Sequence, residues 1–372
     1  MKNKLLVATR KGLFTVERGK DWRITGVDFL GDNCSAVLPH PVNGAILAAL
    51  DHGHFGVKLH RSTDRGKSWH EIEAPKYPAK SEGEEDWVDM HGRTIPASLL
   101  LIWTLEADHA TRPDGIWCGT VPGAMFYSND RGDSWRLVES LWNHTLRRRW
   151  FGGGMDYPGI HSVCVDPGDA GRISMGVSCG GVWVSRDAGK QWECVGKGWR
   201  SDYLPPELLG DPAIQDVHRL GQCGAHPDAL WVQHHNGIFR STDGGQHWIE
   251  LKDVSPSAFG FALAAHPSDP DTAWFVPEIK DERRIPVDGK LVVNRTRDGG
   301  QSFETLSRGL PQEHAYDLVY RHGLAIDTEG KVLAMGSTTG SVFVSEDSGD
   351  SWQCVSTHLP PVYAVRFAES AS

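Results

Sequence analysis

The chain has 372 residues, of which 39% are hydrophobic, and its 38 basic and 48 acidic side chains give a formal net charge of -10. This acidic balance, without a basic stripe, argues against nucleic-acid binding. The sequence shows neither an apolar run long enough for a transmembrane helix nor a secretory segment at its start, so we expect no membrane contact and a cytoplasmic location.

A short motif, Ser/Thr-x-Asp-x-Gly-x-x-Trp/Phe, recurs along the chain and is known as an Asp box. A weaker copy with Glu in place of Asp opens the chain, and six complete copies follow; they begin at Thr15, Ser62, Ser128, Ser185, Ser241, Thr296 and Ser345. The closing aromatic residues recur about every 55 residues, a period typical of propellers and solenoids. The hydroxyl and carboxylate can bond backbone N–H groups of a hairpin turn, and Gly permits its backbone conformation. We therefore interpret the boxes as structural turns.

Four strand-like segments accompany each box, lettered A to D in chain order. In the fourth repeat they cover 161–167, 172–177, 181–185 and 192–195, and in the fifth 223–227, 229–233, 237–241 and 248–251. Four short antiparallel strands form one blade of a β-propeller. The pattern predicts an all-β fold, a seven-bladed β-propeller with Asp-box turns, spanning residues 1–372 as a single domain.

The two ends of the chain complement each other. The sequence begins with a B-type strand at Lys4 and ends with an unpaired A-type strand at 362–367. We expect this C-terminal strand to complete the N-terminal blade, which would then be shared between residues 1–28 and 360–369. Such closure protects sheet edges that an open array would leave unpaired.

The long insertions all fall on loops of one type. They lie in the D–A loops at 75–97, 142–157 and 197–214 and in the B–C loop at 278–284. These loops emerge on one face of a propeller, and the Asp boxes lie on the other. Because scaffolds carry function on their loops, we predict that ligands bind at the face bearing the insertions.

Polar residues near the start of the inner strands are the candidate site. Asp156, Asp216 and Asp317 each lie ten residues before a polar residue expected to close an A strand, namely Asp166, His226 and Asp327. They are the candidate catalytic carboxylates, although such residues also cap turns. The candidate ligand-binding residues are polar or aromatic and belong to the same rim: His52, His54, Arg93, Tyr157, His161, His218, Arg219, His234, His235, Arg284, Tyr316 and Arg321.

The histidines raise the question of a metal. His52 and His54 would place both rings on one side of a strand end, and His234 or His235 could add a ligand. No tight ligand signature accompanies them, so the sequence predicts no metal and no cofactor.

The seven boxes and the blade pattern along the whole chain resemble the BNR/Asp-box superfamily. This superfamily includes sialidases, xyloglucan hydrolases, sortilin-type receptors and photosystem II assembly factors, and the chain is most similar to bacterial BNR-repeat proteins of glycosyl hydrolase-like or sialidase-like type. Sialidases hold the substrate carboxylate with arginines, the first in a Phe/Tyr-Arg-Ile-Pro motif near the N-terminus. The one similar string here is Arg284-Ile285-Pro286, in the sixth repeat.

Two functional hypotheses follow. The first is a propeller that binds a small polar or anionic ligand, or a protein partner, on the face with the insertions. The second is a glycoside hydrolase acting on a carbohydrate ligand through paired carboxylates on that face.

Overall fold

Seven four-stranded antiparallel sheets form a closed ring in the computed structural model, which describes residues 3–80, 82–83, 85–153 and 155–368. Each inner strand contacts the inner strands of both neighbouring sheets, so these strands surround a central channel. The predicted all-β, seven-bladed β-propeller is thereby confirmed.

The blades follow one another in chain order, with strand A innermost. Blade 1 contains β1 (Lys4–Thr9), β2 (Gly12–Arg18) and β3 (Trp22–Asp28), and blade 2 contains β4 (Asn33–Pro39), β5 (Ile46–Asp51), β6 (Val57–Ser62) and β7 (His70–Ile72). Blade 3 contains β8 (Leu101–Ala107), β9 (Ile116–Val121), β10 (Met125–Ser128) and β11 (Arg136–Leu137). Blade 4 contains β12 (Gly159–Val165), β13 (Ile173–Ser178), β14 (Gly181–Ser185) and β15 (Glu193–Val195).

The second half of the ring repeats this order. Blade 5 contains β16 (Val217–Cys223), β17 (His226–His234), β18 (Gly237–Ser241) and β19 (Ile249–Glu250). Blade 6 contains β20 (Gly260–Ala265), β21 (Ala273–Pro277), β22 (Val293–Thr296) and β23 (Glu304–Leu306). Blade 7 contains β24 (Leu324–Ile326), β25 (Leu333–Gly336), β26 (Val342–Ser345) and β27 (Gln353–Ser356), and β28 (Val362–Ala368) returns to blade 1.

The helical segments are short and lie in loops. They are α1 (Glu139–Trp142) and the 3₁₀ turns Gly53–Phe55, Thr145–Arg149, Pro212–Ile214 and Val287–Gly289. Within the described ranges, none has the length and hydrophobicity needed to cross a membrane.

The C-terminal strand closes the ring as predicted. β28 pairs antiparallel with β1, so that Phe367 lies opposite Leu5 and Val365 opposite Val7. Residues 1, 2 and 369 of the predicted shared blade lie outside the described part of the chain.

Hydrophobic side chains fill the gap between each pair of neighbouring blades. The cluster between blades 4 and 5, for example, joins Val182 and Val184 of β14 to Leu230 and Val232 of β17, together with the box residue Trp248. Alternate residues of a strand face opposite sides of the sheet, so each blade contributes to two such clusters.

Six turns that follow the Asp-box pattern share one hydrogen-bond network. In the turn after β18, Ser241 Oγ donates to Asp243 Oδ1 at 2.8 Å and accepts from Gly245 N at 2.9 Å. The backbone N–H of His247 also donates to Asp243 Oδ1 at 2.9 Å. Gly245 has a φ of 90°, a left-handed conformation that favours glycine.

The weaker copy at Thr15 does not form this turn. Glu17 lies within β2, where it pairs with Lys4 and Arg23 of the flanking strands. β2 pairs with β3 as far as Arg18 and Trp22, which leaves only residues 19–21 to make the connection. The expectation of an Asp-box turn at Thr15 was therefore wrong.

Two inner strands also differ from the prediction. In blade 5 the A strand is β16, which ends at Cys223, and His226 opens strand B. In blade 7, β24 has only three residues. Leu318 O and Gly323 O still accept from the backbone N–H groups of Thr338 and Gly336, whereas the residues between them bulge towards the channel, where His322 contacts His161. We call residues 317–323 the channel loop.

Candidate functional site

The channel mouth on the face of the D–A and B–C loops opens into a cavity of about 300 Å³, which we call the rim pocket. Its lining residues come from the starts of inner strands, the end of β5, the long B–C loop of blade 6 and the channel loop. They are Asn33, Ser35, Asp51, Leu101, Trp103, Met155, Phe261, Arg284, Tyr320, Arg321, His322 and Tyr363. The largest loops and this cavity thus share one face.

Two arginines and two aromatic rings dominate the rim pocket. The Arg321 guanidinium lies 4.7 Å from the Trp103 ring centroid and 5.7 Å from that of Phe261. Arg284 lies 5.2 Å from the Phe261 centroid, and its Nε donates to Asp281 Oδ1 at 3.0 Å. Burial lowers the pKa of Arg321, and the nearby Asp216 opposes that effect. Each arginine thus places a cation next to an aromatic ring, an arrangement suited to binding a polar ligand.

His322 closes the bottom of the rim pocket. Its Nε2 donates to the backbone oxygen of His161 at 2.6 Å, which connects blade 7 to blade 4 across the channel. His322 also lines a second cavity, of about 630 Å³, among the A–B loops on the opposite face. The channel loop therefore divides the channel into two separate cavities.

Asp216, His218 and His235 form a compact cluster beside the rim pocket. Asp216 Oδ2 lies 3.4 Å from His218 Nε2 and 3.5 Å from His235 Nδ1. The His218 ring stacks on the ring of Phe261 at a centroid distance of 4.4 Å. Phe261 thus separates this cluster from the pocket.

Burial and mutual contact set the charges in the cluster. Burial opposes ionisation of Asp216, but the two facing histidines outweigh it and hold the pKa of Asp216 well below its usual range. Burial lowers the pKa of His218. Burial also opposes protonation of His235, yet Asp216 outweighs it and raises the pKa of this ring. The carboxylate is therefore ionised at neutral pH.

Asp317 and Glu278 form a second acidic group at the boundary between blades 6 and 7. Asp317 Oδ1 accepts hydrogen bonds from Ser337 Oγ at 2.7 Å and Thr339 Oγ1 at 2.5 Å. Glu278 is fully buried, and neither carboxylate oxygen accepts a hydrogen bond of ordinary geometry among the described residues. The nearby Val319 N–H favours the ionised form but does not offset burial. Burial, assisted by the Asp317 carboxylate, raises the pKa of Glu278 to about 9. Glu278 is accordingly neutral at pH 7.

The structure brings together only some of the candidate residues. Arg284 and Arg321 line the rim pocket, and Asp216, His218 and His235 lie behind it. His161 is fully buried below the pocket floor, where its Nε2 donates to Val217 O at 2.7 Å.

The other candidates are dispersed. Arg219 lines the cavity on the opposite face, and His234 stacks on Trp199 inside blade 5. Arg93 pairs with Asp89, and His52 lies near Asp32. Four further candidates have no defined partner at the rim pocket. Tyr157 is half-buried, and the other three are exposed, namely His54, Asp156 and Tyr316.

Sequence reasoning missed most of the pocket wall. Trp103, Phe261, Tyr320 and Tyr363 are aromatic residues at or near the start of inner strands, and Asp51 ends β5. Large rings in inner strands that otherwise carry small side chains, as in Gly260–Ala265, are the signal that could have found them.

The fold and site define a seven-bladed β-propeller with an aromatic, polar pocket at one mouth of a divided channel. No family model matches the sequence. The chain is 32% identical over 256 residues to an oligoxyloglucan-reducing end-specific xyloglucanase from Emericella nidulans, covering 67% of this chain and 26% of that protein. It is 27% identical over 254 residues to a xyloglucanase from Paenibacillus sp, covering 62% and 23%. The chain spans about a quarter of the length of these curated relatives.

Solved structures show the same fold. An ancestral GH74 enzyme matches with a TM-score of 0.57 at 15% identity, over 86% of this chain and 38% of that chain. YCF48 bound to D1 peptide matches with a TM-score of 0.51 at 15% identity, over 83% and 78%. YCF48 from Cyanidioschyzon merolae matches with a TM-score of 0.52 at 11% identity, over 87% and 84%.

Proposed function

We propose that the chain is a glycoside hydrolase that acts on xyloglucan or a related oligosaccharide, with the rim pocket as its sugar-binding site. The observation that carries this proposal is an aromatic pocket containing a carboxylate, in a propeller with sequence similarity to xyloglucanases. Its modest volume suits one or two sugar rings rather than a long polysaccharide groove.

Sugar binding requires apolar faces and hydrogen-bonding groups in alternation. Trp103 and Tyr320 offer rings against which the C–H faces of a sugar pack. Asn33, Asp51 and Arg284 offer amide, carboxylate and guanidinium groups to its hydroxyls. The pocket thereby meets both requirements.

Hydrolysis of a glycosidic bond requires a pair of carboxyl groups. Asp51 lines the pocket, and its Oδ1 is held by the Gly53 N–H at 3.0 Å. Asp156 is exposed and follows Met155, another lining residue. Asp216 instead contacts two histidines, and Asp317 accepts hydrogen bonds from two hydroxyl groups. We therefore propose Asp51 as one reacting carboxyl group and Asp156, which adjoins the lining residue Met155, as the second.

The test is release of new reducing ends when the purified chain is incubated with xyloglucan oligosaccharides. We expect turnover in the wild-type protein and a loss of about 100-fold or more in kcat for Asp51→Asn and for Asp156→Asn, because each removes an acid, base or nucleophile. Asp133→Asn is the matched control, since Asp133 is 56% exposed and pairs with Arg61 on the opposite face. Turnover that survives both the Asp51→Asn and the Asp156→Asn substitution would contradict this proposal.

Partner binding without turnover is the second candidate function. It is favoured by the similarity to YCF48 bound to D1 peptide, which covers most of both chains, and by the cationic Arg284 and Arg321 in the pocket. The hydrolysis assay, together with a peptide-binding titration, separates the two functions. Absence of hydrolysis, with saturable binding of an acidic peptide that Arg284→Ala weakens, would support the binding protein.

A further inference from the structure

Three potential metal-ligand atoms converge next to the rim pocket. One atom each from Asp216, His218 and His235 lie within 4.8 Å of one another. Asp216 and His218 are nearly completely buried, at 4% and 2% exposure. Buried groups that can bind a cation are rarely brought together without a function for them.

The remaining atoms of these side chains are bound so as to fix their orientation. His218 Nδ1 donates to Gly260 O at 2.7 Å, which leaves the Nε2 lone pair of the neutral ring facing Asp216. Asp216 Oδ1 accepts from Cys179 N at 3.3 Å and from Ser178 Oγ at 3.4 Å, which leaves Oδ2 facing the histidines. Metal-binding histidines commonly donate their second N–H to a backbone carbonyl in this manner.

The distances within the cluster fit an ion better than they fit hydrogen bonds. The contacts of 3.4 and 3.5 Å from Asp216 Oδ2 are long for charge-assisted hydrogen bonds. Around a tetrahedral Zn²⁺ with bonds of about 2.0–2.1 Å, neighbouring ligand atoms are separated by roughly 3.3 Å. The third separation, between the ligand nitrogens of His218 and His235, is no more than 4.8 Å.

The cluster is also accessible from the rim. The His235 side chain is 26% exposed. Gly153 is exposed and packs so close that a Cβ there would lie 2.4 Å from Cys179 Sγ and 3.4 Å from Asp216 Oδ2. A side chain at position 153 would therefore fill the space beside the carboxylate, and glycine leaves it free.

We propose that Asp216, His218 and His235 bind a divalent first-row transition-metal ion. Two imidazoles and one carboxylate suit Zn²⁺, Fe²⁺ or Co²⁺ and disfavour the oxygen-preferring Mg²⁺ and Ca²⁺. Three protein ligands leave at least one coordination position for water or substrate, as in catalytic metal sites. The Phe261 ring places this ion directly behind the rim pocket.

The experiment is calorimetric titration of the full chain, freed of metal with a chelator, with Zn²⁺ and separately with Mg²⁺. We expect one Zn²⁺ per chain, no saturable Mg²⁺ binding and a visible d–d spectrum with Co²⁺. His235→Ala and Asp216→Asn should each weaken Zn²⁺ binding at least about 100-fold, since loss of a direct ligand costs at least as much as loss of an outer partner. Zn²⁺ should raise the Tm of the wild-type chain and not that of the variants.

His247→Ala is the matched control. His247 Nδ1 lies 2.7 Å from Asp243 Oδ2, so it forms a histidine–aspartate contact that lacks a third ligand atom among the described residues. This variant should bind Zn²⁺ like the wild type. His235 is partly exposed, so its substitution is the least disruptive to folding, and far-UV circular dichroism verifies that. Failure of the folded wild-type chain to bind Zn²⁺, or equal binding by the folded His235→Ala variant, would overturn the proposal. Because no glycan is present, this outcome is independent of hydrolase activity.

Discussion

Buried charged side chains in this propeller differ in how completely they are partnered. Arg147 is 4% exposed, but its guanidinium lies between the rings of Trp142 and Trp87, at 3.8 and 4.2 Å from their centroids. Aromatic faces stabilise a cation that has lost water. Glu278 has no such compensation and instead keeps its proton, since an isolated buried carboxylate is far more costly than a neutral carboxyl group.

Glu278 should make the protein less stable at alkaline pH. The pKa of Glu278 is about 9 in the folded chain, compared with an ordinary value of 4.5. Between pH 4.5 and pH 9, the folded state therefore keeps a proton that the unfolded state releases. Its contribution to stability is thus fully present below about pH 4.5 and is lost as pH rises through 9. Glu278→Gln, which cannot ionise, should lose less stability than the wild type between pH 6 and pH 9, by roughly 1–3 kcal/mol.

Chemical denaturation of both proteins at the two pH values measures this difference. Glu282→Gln is the control, because the Glu282 side chain is 72% exposed in the same B–C loop and should not alter the pH profile. Identical pH profiles for the wild type and Glu278→Gln would show that Glu278 ionises normally.

At the scale of single elements, the repeated turns join strands C and D by side-chain bonds to backbone N–H groups. The Asp carboxylate fixes the far side of the turn, and the Ser or Thr hydroxyl fixes the near side. In the turn after β26, Ser345 Oγ accepts from Gly349 N at 2.8 Å and Asp347 Oδ1 from Ser351 N at 2.8 Å. The shared geometry explains why these residues recur while the strands around them vary.

Asp243→Ala should lower the free energy of unfolding by about 1–3 kcal/mol, because it removes the acceptor for the His247 N–H and the Ser241 hydroxyl. Ligand binding at the rim pocket should be unchanged, since this turn lies on the other face. His247→Ala in the same turn retains the backbone bond and should change stability by less than about 0.5 kcal/mol. Equal losses in the two variants, measured by urea denaturation, would mean that the Asp243 carboxylate does not hold the turn.

These turns also explain what the sequence could predict. A local hydrogen-bond network demands particular residues at fixed spacing, so the sequence alone predicts the turns. Counting the turns gives the number of blades, and the spacing between them shows where the long loops lie. The channel loop could not be predicted in this way, because Leu318, Val319 and Tyr320 are residue types that also suit a strand. Its departure from the sheet depends on contacts such as His322 with His161, which is 161 residues away. The sequence predicted Asp216, His218 and His235 as site residues but did not predict that they form one cluster. His218 and His235 come together through the pairing of β16 with β17 rather than through local spacing.

At the scale of the whole molecule, one strand pairing completes the ring. β28 covers β1 and contributes Val362, Val365 and Phe367 to the cluster between blades 7 and 1. No other strand in the described part of the chain joins residues so distant in sequence into one blade.

A chain truncated after Ser356, the last residue of β27, should lose most of its stability. Removing β28 uncovers three large apolar side chains, worth about 1.5–3 kcal/mol each, in a protein whose total stability is expected to be about 5–15 kcal/mol. The truncated chain should aggregate or melt at a much lower temperature. A chain ending at Ala368 keeps the whole strand and should melt like the full-length protein, and equal Tm values for both truncations would contradict the role of β28.

The strand that closes the ring is synthesised after the other strands of the described propeller. β1 is synthesised before the other described strands of the propeller, yet its inner edge has no partner until β28 emerges some 350 residues later. At about 5–20 residues per second, that interval lasts from roughly twenty seconds to about a minute. During it, the N-terminal blade exposes the unpaired edge of a hydrophobic strand, the kind of surface on which aggregation begins. The nascent propeller is therefore most prone to aggregation at β1.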